Sequence, residues 1–376
     1  MLSRSARVLR ALVPALALFA GACSEGATGP QTELTPTATA PTALQTVQCT
    51  ADVQAGVMSC GQAGLPAGMR GTIFGGQGTY VQLRSSNVAY NPADSILSVD
   101  VSIENLVPQA MGTVDGVTPA ASGVRIFFVA GPFPPARGSA EVHNADGTGT
   151  FTDANQPYFQ YDGILETNET SAVKRWEIKV NSETSRVMFV VAIEAPVQPR
   201  LVINEIMPNP GGTVQDSVGE YVELYNAGTF PTNMNGFILR DNTAGVTDTI
   251  KTDLVVQPGA YVLLGRSANT SKNGGITPDY LYTSRIGTTS TSLTFSNSGS
   301  DFFVVKAPTG VTVDSVFYTS GTTTAVSAVA RELKNPALDN TLMDGSNWGA
   351  ATSAYDATNN NRGTPKAQNS VFTIAA

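Results

Sequence analysis

The sequence contains a single histidine, His143, in 376 residues. A Ser-His-Asp triad needs a positioned histidine, and most catalytic zinc and facial iron sites need two or more. Multi-histidine metal sites are therefore excluded, and a triad would have to use this one residue. We expect His143 to lie at the surface, beside a turn at Asp146-Gly147.

Charged residues are also scarce, at 14% of the chain against roughly 25% in an average soluble protein. The net charge of -8 argues against nucleic acid as a partner, because duplex binding depends on Lys and Arg displacing counterions from phosphates. The 36 glycines and 22 prolines suit a chain with many turns, and the 41% apolar content is enough for hydrophobic cores. This composition predicts a globular, β-rich protein.

The N-terminal apolar run, residues 11–22, is too short for a transmembrane helix, which needs about 20 apolar residues. Three arginines precede it, and the small residues Ala20-Gly21-Ala22 end it directly before Cys23. This order predicts a signal peptide over residues 1–22 and export of the chain.

Residues 18–23 resemble the lipobox of bacterial lipoproteins, in which the cysteine after the cleavage site receives a diacylglycerol. The resemblance implies lipidation of Cys23, membrane attachment through that lipid, and a place in the cell envelope or outer membrane, with surface exposure as one arrangement. Ala20 stands where the family usually has Leu, so cleavage by the ordinary signal peptidase and simple secretion is the alternative. Residues 23–46 are rich in Thr and Pro and predict a disordered tether.

Two further cysteines, Cys49 and Cys60, follow the tether, and the chain has no others apart from Cys23. In an oxidising compartment we expect them to form a disulfide, and two separate thiols are the alternative. Closing so small a loop restricts the unfolded chain by about 3 kcal/mol.

Apolar residues alternate with polar ones in several short runs between residues 47 and 197, for example at 97–103, 124–128, 176–180 and 187–193. With seven to nine such strands and no convincing helix, this half predicts an immunoglobulin-like or fibronectin-like β-sandwich. Pro196 and Pro199 then interrupt the pattern, which places a domain boundary there. A second β-domain, predicted over residues 200–370, follows, and we expect the halves to fold independently. The predicted fold is all-β, with two tandem β-sandwiches after the signal peptide and tether.

The second half carries five motifs that resemble those of the lamin tail domain, in the same order. They are residues 201–210 (LVINEIMPNP), 219–226 (GEYVELYN), 234–241 (MNGFILRD), 257–263 (QPGAYVL), and a closing set of Trp348, Gly363-Thr364-Pro365 and Asn369. The motif residues expected to have structural roles are Asn204, Glu205, Glu220, Glu223, Gly236, Pro258, Gly259, Gly363, Thr364 and Pro365. Lys366 departs from the commoner Gly-Thr-Pro-Gly ending.

The resemblance implies an immunoglobulin-like β-sandwich that binds or attaches and has no catalysis or cofactor of its own. In bacteria such domains often accompany secreted nucleases or phosphoesterases, but no other part of this chain resembles those enzymes. The resemblance therefore favours a non-catalytic envelope lipoprotein that displays, binds or attaches to an unidentified protein or glycan. The alternatives are a carboxylate-based accessory or cryptic hydrolase, and a purely structural spacer.

The acidic motif residues bear on the hydrolase alternative. Asn204 and Glu205 interrupt an apolar strand, so we expect hydrogen bonds to neighbouring backbone at a strand edge or corner. Glu220 and Glu223 should face opposite sides of one strand. A pair of Glu205 and Glu223 across two strands remains the one acid–base arrangement that the sequence allows.

Acidic and amide residues also gather around turns in the first half. Asp146, Asp153 and Asn155 are weak calcium candidates, because their spacing does not match an EF-hand loop. Turn formation explains them adequately, so no metal site is predicted.

Overall fold

A computed structural model of the chain describes residues 42–62, 78–242, 246–282, 293–318, 327–343 and 345–374. The predicted signal peptide, Cys23 and all of the tether before residue 42 lie outside these ranges. Across the described part of the chain, no helix is both long and apolar enough to cross a membrane.

The first half is a sandwich of two antiparallel sheets, to which its described residues contribute ten strands. The strands are β1 (Thr42–Asp52), β2 (Val57–Gln62), β3 (Val81–Asn91), β4 (Ile96–Asn105), β5 (Val124–Phe133), β6 (Ala140–Val142), β7 (Gly147–Gly149), β8 (Gln156–Tyr161), β9 (Lys174–Val180) and β10 (Arg186–Pro196). One sheet has the order β2-β1-β10-β5-β8-β7 and the other β3-β4-β9-β6. The sandwich thus has more strands than the seven to nine that the sequence indicates, and β1 already begins within the predicted tether.

The alternating residues of these strands build the first core, as their period of two predicts. Trp176 is fully buried and its ring stacks on Phe159, with 4.8 Å between ring centroids. Its indole Nε1 donates to the Tyr161 hydroxyl at 3.1 Å. The predicted disulfide is confirmed: Cys49 and Cys60 face each other across β1 and β2 and are bonded.

The described residues of the second half form fourteen short strands and one short helix, α1 (Asp216–Gly219). The strands are β11 (Leu201–Met207), β12 (Tyr221–Asn226), β13 (Thr232–Asn233), β14 (Ile238–Asp241), β15 (Thr247–Thr249), β16 (Val255–Val256), β17 (Tyr261–Gly265), β18 (Tyr280–Leu281), β19 (Asp301–Lys306), β20 (Thr312–Tyr318), β21 (Arg331–Leu333), β22 (Trp348–Ala350), β23 (Ala354–Asp356) and β24 (Asn361–Arg362). The main sheets have the orders β18-β17-β12-β11-β21-β22 and β15-β14-β19-β20, with two small two-stranded sheets beside them. The fold is therefore all-β with immunoglobulin-like sandwiches, as the sequence predicts.

The six-stranded sheet of the second sandwich is buried on both faces. On β12, Val222 and Leu224 point into the main core, which also contains Phe303 of the facing sheet. Tyr221 alternates with them and joins a separate small core with Met207. This second buried face lies on the outer side of the sandwich, and it positions the site described below.

The connector between the halves is held by hydrogen bonds. Gly112 N donates to Pro196 O at 2.8 Å, and Gln198 N donates to Ala110 O at 2.9 Å. Phe230 of the second half is buried in the core of the first. The boundary near Pro196 and Pro199 stays a prediction, but the described contacts fasten the connector to the first sandwich.

Candidate functional site

Three glutamates form a row on the outer face of the six-stranded sheet. Glu205 on β11 lies opposite Glu223 on β12 and, on its other side, opposite Glu332 on β21. All three side chains have an exposed fraction of 0%. We call Glu205, Glu223 and Glu332 the carboxyl row. The cross-strand pair that the sequence allows is thus present, and it has a third member.

A β-bulge explains why two successive polar residues are buried on β11. The register shifts between Ile203 and Glu205, so Asn204 is an extra residue in the strand. β11 lies between β12 and β21, and the expectation of a strand edge or corner was wrong. The described partners of the Asn204 side chain are other side chains rather than the backbone that the sequence suggests: its Nδ2 donates to Glu223 Oε1 at 3.1 Å and to Asn369 Oδ1 at 2.8 Å.

Residues 363–371, here called the capping segment, cover the carboxyl row. Thr364 N donates to both carboxylate oxygens of Glu205, at 3.0 and 3.1 Å, and Lys366 N donates to Glu223 Oε2. Ser370 Oγ donates to Glu332 Oε2 at 2.7 Å. The closing motif therefore contacts the opening motif through Thr364 and Glu205. The capping segment as a whole donates hydrogen bonds to all three buried carboxyls.

Burial makes two of these carboxyls, those of Glu205 and Glu223, harder to ionise. Burial and then the neighbouring Glu332 raise the pKa of Glu205 to about 8, against the hydrogen bonds from Tyr221 and Thr364. Burial and then Glu205 raise the pKa of Glu223 to about 9. A raised pKa favours the protonated form, so these two groups are poor candidates for a carboxylate nucleophile or a general base.

Two residues of the capping segment show how closely it fits. A Cβ added at Gly363 would come within 2.3 Å of Tyr221 Oη and 2.4 Å of Glu205 Oε1, so only glycine fits there. Lys366 has a φ of 62°, the left-handed conformation that favours glycine. Its Nζ pairs with Asp279 Oδ1 at 2.6 Å. Lys366 thus adopts a glycine-favouring conformation at the position where the commoner ending has glycine, and it adds an ion pair.

Glu220 lies away from the row, as its opposite phase from Glu223 predicts. Its Oε2 accepts a hydrogen bond from Arg266 Nη1 at 2.7 Å, and its Oε1 accepts one from Phe295 N at 3.4 Å. Burial raises the pKa of Glu220 to about 8, and Arg266 opposes that rise. This residue joins the loop after β17 to the edge of the core.

The glycine motifs have conformational roles. Gly236 and Gly259 have φ values of 85° and 73°, which residues other than glycine rarely adopt. Pro258 and Gly259 occupy the middle of a turn closed by a hydrogen bond from Ala260 N to Gln257 O at 3.0 Å. Pro followed by a positive-φ Gly is typical of a type II turn, so this motif fixes the entry into β17.

The calcium candidates of the first sandwich do not converge on one point. Asp146 Oδ2 accepts hydrogen bonds from Lys174 Nζ at 2.6 Å and Gln160 N at 2.7 Å. Asn155 has a φ of 60°, typical of a turn residue, and Asp153 N donates to Gln156 Oε1. Within the described ranges, no group of three or more His, Cys, Asp or Glu side chains could hold a metal ion.

The carboxyl row and the capping segment form a connected polar site in the second sandwich. Residues 194–320 match the model of the Lamin Tail Domain family. No curated protein matches the chain significantly. The lamin tail domain match indicates an immunoglobulin-like, non-catalytic β-sandwich module. Glu332 and the capping segment lie beyond the matched residues, yet they complete the same sheet face.

Sequence reasoning missed Glu332. Its strand, β21, has only three residues, too few to show a period of two. The available signal was the charged pair Arg331-Glu332, which follows the small and apolar run 325–330 and directly precedes Leu333.

Proposed function

We propose that the chain is a bacterial cell-envelope lipoprotein whose β-sandwiches bind or attach without catalysis. A signal peptide over residues 1–22 directs export, lipid on Cys23 anchors the chain in the membrane, and a tether that ends before β1 at residue 42 carries the two sandwiches, the first reaching to residue 197 and the second covering 200–370. The lipobox resemblance and the lamin tail domain match support this proposal. Its ligand is an envelope or extracellular protein or glycan.

The state of the carboxyl row is the observation that carries the non-catalytic part. The pair Glu205 and Glu223 has the composition of an acid–base pair, but both side chains are fully buried. Their oxygens accept hydrogen bonds from Tyr221, Asn204 and the capping segment. A substrate would have to displace the capping segment to reach either carboxyl.

Fractionation of cells that produce the wild type and Cys23→Ala tests the anchor. We expect the wild type in the membrane fraction, because two or three acyl chains bind firmly at about 0.8 kcal/mol for each buried CH₂. The variant should be soluble after export. A variant that stays membrane-bound after a high-salt wash, or a wild type that is soluble with an unmodified Cys23, would contradict the lipid anchor.

Co-sedimentation of the purified chain with isolated envelope tests binding. The envelope is used intact, after protease digestion, and after glycan digestion, so that loss of binding in one arm assigns the ligand class. Saturable binding that either digestion removes supports the proposal. Absence of saturable binding in all arms favours the spacer alternative.

The hydrolase alternative rests on one specific observation, the raised pKa values of two carboxyls that face each other across β11 and β12. Enzymes use such environments to keep a carboxyl protonated as a general acid. Measuring stability and hydrolysis together for Glu223→Gln separates this alternative from a structural role.

A further inference from the structure

The hydroxyl of Thr364 contacts two carboxyl groups with one hydrogen to donate. Thr364 Oγ1 lies 3.0 Å from Glu205 Oε2 and 2.9 Å from Glu332 Oε1. If both carboxyls were ionised, only one contact could be a hydrogen bond, since a carboxylate only accepts. A proton on one carboxyl makes both contacts hydrogen bonds. The geometry therefore fits a row that holds at least one proton.

The described hydrogen bonds to the row come from neutral donors. Tyr221 donates to Glu205, and burial and then the neighbouring carboxyls raise the pKa values of Tyr261 and Tyr355. The ammonium of Lys366, on the capping segment, pairs with Asp279. Three buried carboxylates that accept hydrogen bonds only from neutral groups would be strongly unfavourable.

The capping segment is the only part of the described chain outside the sheet whose backbone N–H groups bond to the row. Thr364 N, Lys366 N and Val371 N all donate to it. Lifting the segment would expose the carboxyls to water, where they ionise readily. We propose that the carboxyl row is a proton-dependent latch, which holds the capping segment on the sheet while it is protonated and weakens that contact as it ionises.

The sign of the pH effect follows from linkage. The pKa of Glu205 is about 8 in the closed state, against an ordinary value of 4.5 once the segment is open. A group whose pKa is raised in the closed state stabilises that state fully below its ordinary value. The stabilisation then falls as pH rises from about 4.5 to 8, by about tenfold in the closed-to-open ratio for each pH unit and each proton released.

Hydrogen–deuterium exchange of the full chain tests the latch. Peptides that cover residues 363–371 are followed between pH 5.5 and 8.5, and their rates are corrected for the intrinsic pH dependence of amide exchange. We expect the protection factor to fall at least tenfold over this range. Peptides from β5 in the first sandwich provide the reference and should change less than threefold. A fall of less than tenfold in the capping segment, or an equal fall in β5, would overturn the proposal.

Variants separate the carboxyl row from the surface ion pair. Glu205→Gln mimics the protonated group. Between pH 5.5 and 8.5, the fold-decrease in the protection factor of the capping segment should be at least ten times smaller in this variant than in the wild type. Glu332→Gln replaces the other carboxyl that the Thr364 hydroxyl contacts. If Glu205→Gln fails to fold, Glu332→Gln is the second variant, and we expect the same reduction in the pH dependence of protection. Lys366→Met removes the ion pair with Asp279 and should keep the wild-type pH dependence of protection in the capping segment. The latch would be overturned if the folded Gln variants kept the wild-type pH dependence of protection in the capping segment. Loss of that pH dependence in Lys366→Met would also overturn it.

Discussion

The ring of Phe230, in the second sandwich, lies 5.5 Å from the ring of Tyr80, in the first, between centroids. Phe230 is 1% exposed and belongs to the hydrophobic core of the first sandwich. Beside it, Thr229 N donates to Gln109 Oε1 at 2.6 Å, and Gln109 Nε2 donates to Gln198 O at 2.8 Å. One side chain of the first sandwich thus bonds to both the connector and the second sandwich.

This contact changes the expectation of independently folding halves. We predict that Phe230→Ala destabilises the protein by about 3–5 kcal/mol, the usual cost of deleting a buried aromatic ring. Calorimetry should show the loss in the transition of the first sandwich, because that is where the ring is buried. Phe372→Ala, at a position that is 38% exposed, is the matched control and should change stability much less. An effect of Phe230→Ala no larger than the control would show that the ring does not couple the halves.

Gly363→Ala tests the fit of the capping segment. Its Cβ would collide with Tyr221 Oη and Glu205 Oε1 in a fully buried site, so we expect a loss of about 1–3 kcal/mol from overpacking. Chemical denaturation measures it. Gly61→Ala, where an added Cβ meets nothing within 4 Å, should be close to neutral. Equal effects at the two positions would mean that the segment is not held against the row.

Lys366 combines a strained backbone with an ion pair, and two substitutions separate them. Lys366→Ala removes the ion pair and keeps the left-handed strain, whereas Lys366→Gly removes both. A left-handed L-residue costs roughly 1–2 kcal/mol, partly offset by the greater freedom of unfolded glycine. We therefore expect Lys366→Gly to be more stable than Lys366→Ala by up to about 1 kcal/mol, measured by denaturation. The reverse order would contradict the left-handed conformation at this position.

Removal of the disulfide by substitution provides a test confined to the first sandwich. Cys49 is fully buried, and both cysteines lie in the hairpin of β1 and β2. We expect Cys49→Ser with Cys60→Ser to lower the unfolding free energy by about 3 kcal/mol. The transition of the second sandwich should change less. An unchanged melting profile in the double variant would show that strand pairing and packing stabilise the hairpin without a contribution from the disulfide.

The sequence predicts the local features of this fold better than its contacts between residues far apart in the chain. The alternation of Val187, Phe189 and Val191 is enough to predict β10, because a period of two is visible within a few residues. The pairing of Asn204 with Asn369 joins residues 165 positions apart. No local pattern specifies such a contact, and only the resemblance to a known family linked the two motifs.

The candidate site divides in the same way. Alternation predicts that Glu220 and Glu223 separate, and it allows Glu205 to meet Glu223. It could not predict the bulge at Asn204, which depends on the partner strand, or the third member, Glu332, on a three-residue strand. The packing of Phe230 into the first core was equally hidden, because a single aromatic residue in a loop has no periodic context.

The central claim is that the carboxyl row is structural, and Glu223→Gln tests it most directly when stability and hydrolysis are measured together. Glu223 accepts hydrogen bonds at both oxygens, from Asn204 Nδ2 and Lys366 N. A protonated carboxyl oxygen keeps a lone pair that can still accept, but an amide nitrogen has none, so Gln would set its NH₂ against one of these donors. We predict a loss of about 1–3 kcal/mol and a lower Tm. We also predict no hydrolysis of nucleic acid, phosphoesters, peptides or glycans above background by wild type or variant, with or without Mg²⁺, Ca²⁺ or Zn²⁺. Wild-type turnover that Glu223→Gln abolishes at an unchanged Tm would contradict the account and establish the hydrolase alternative.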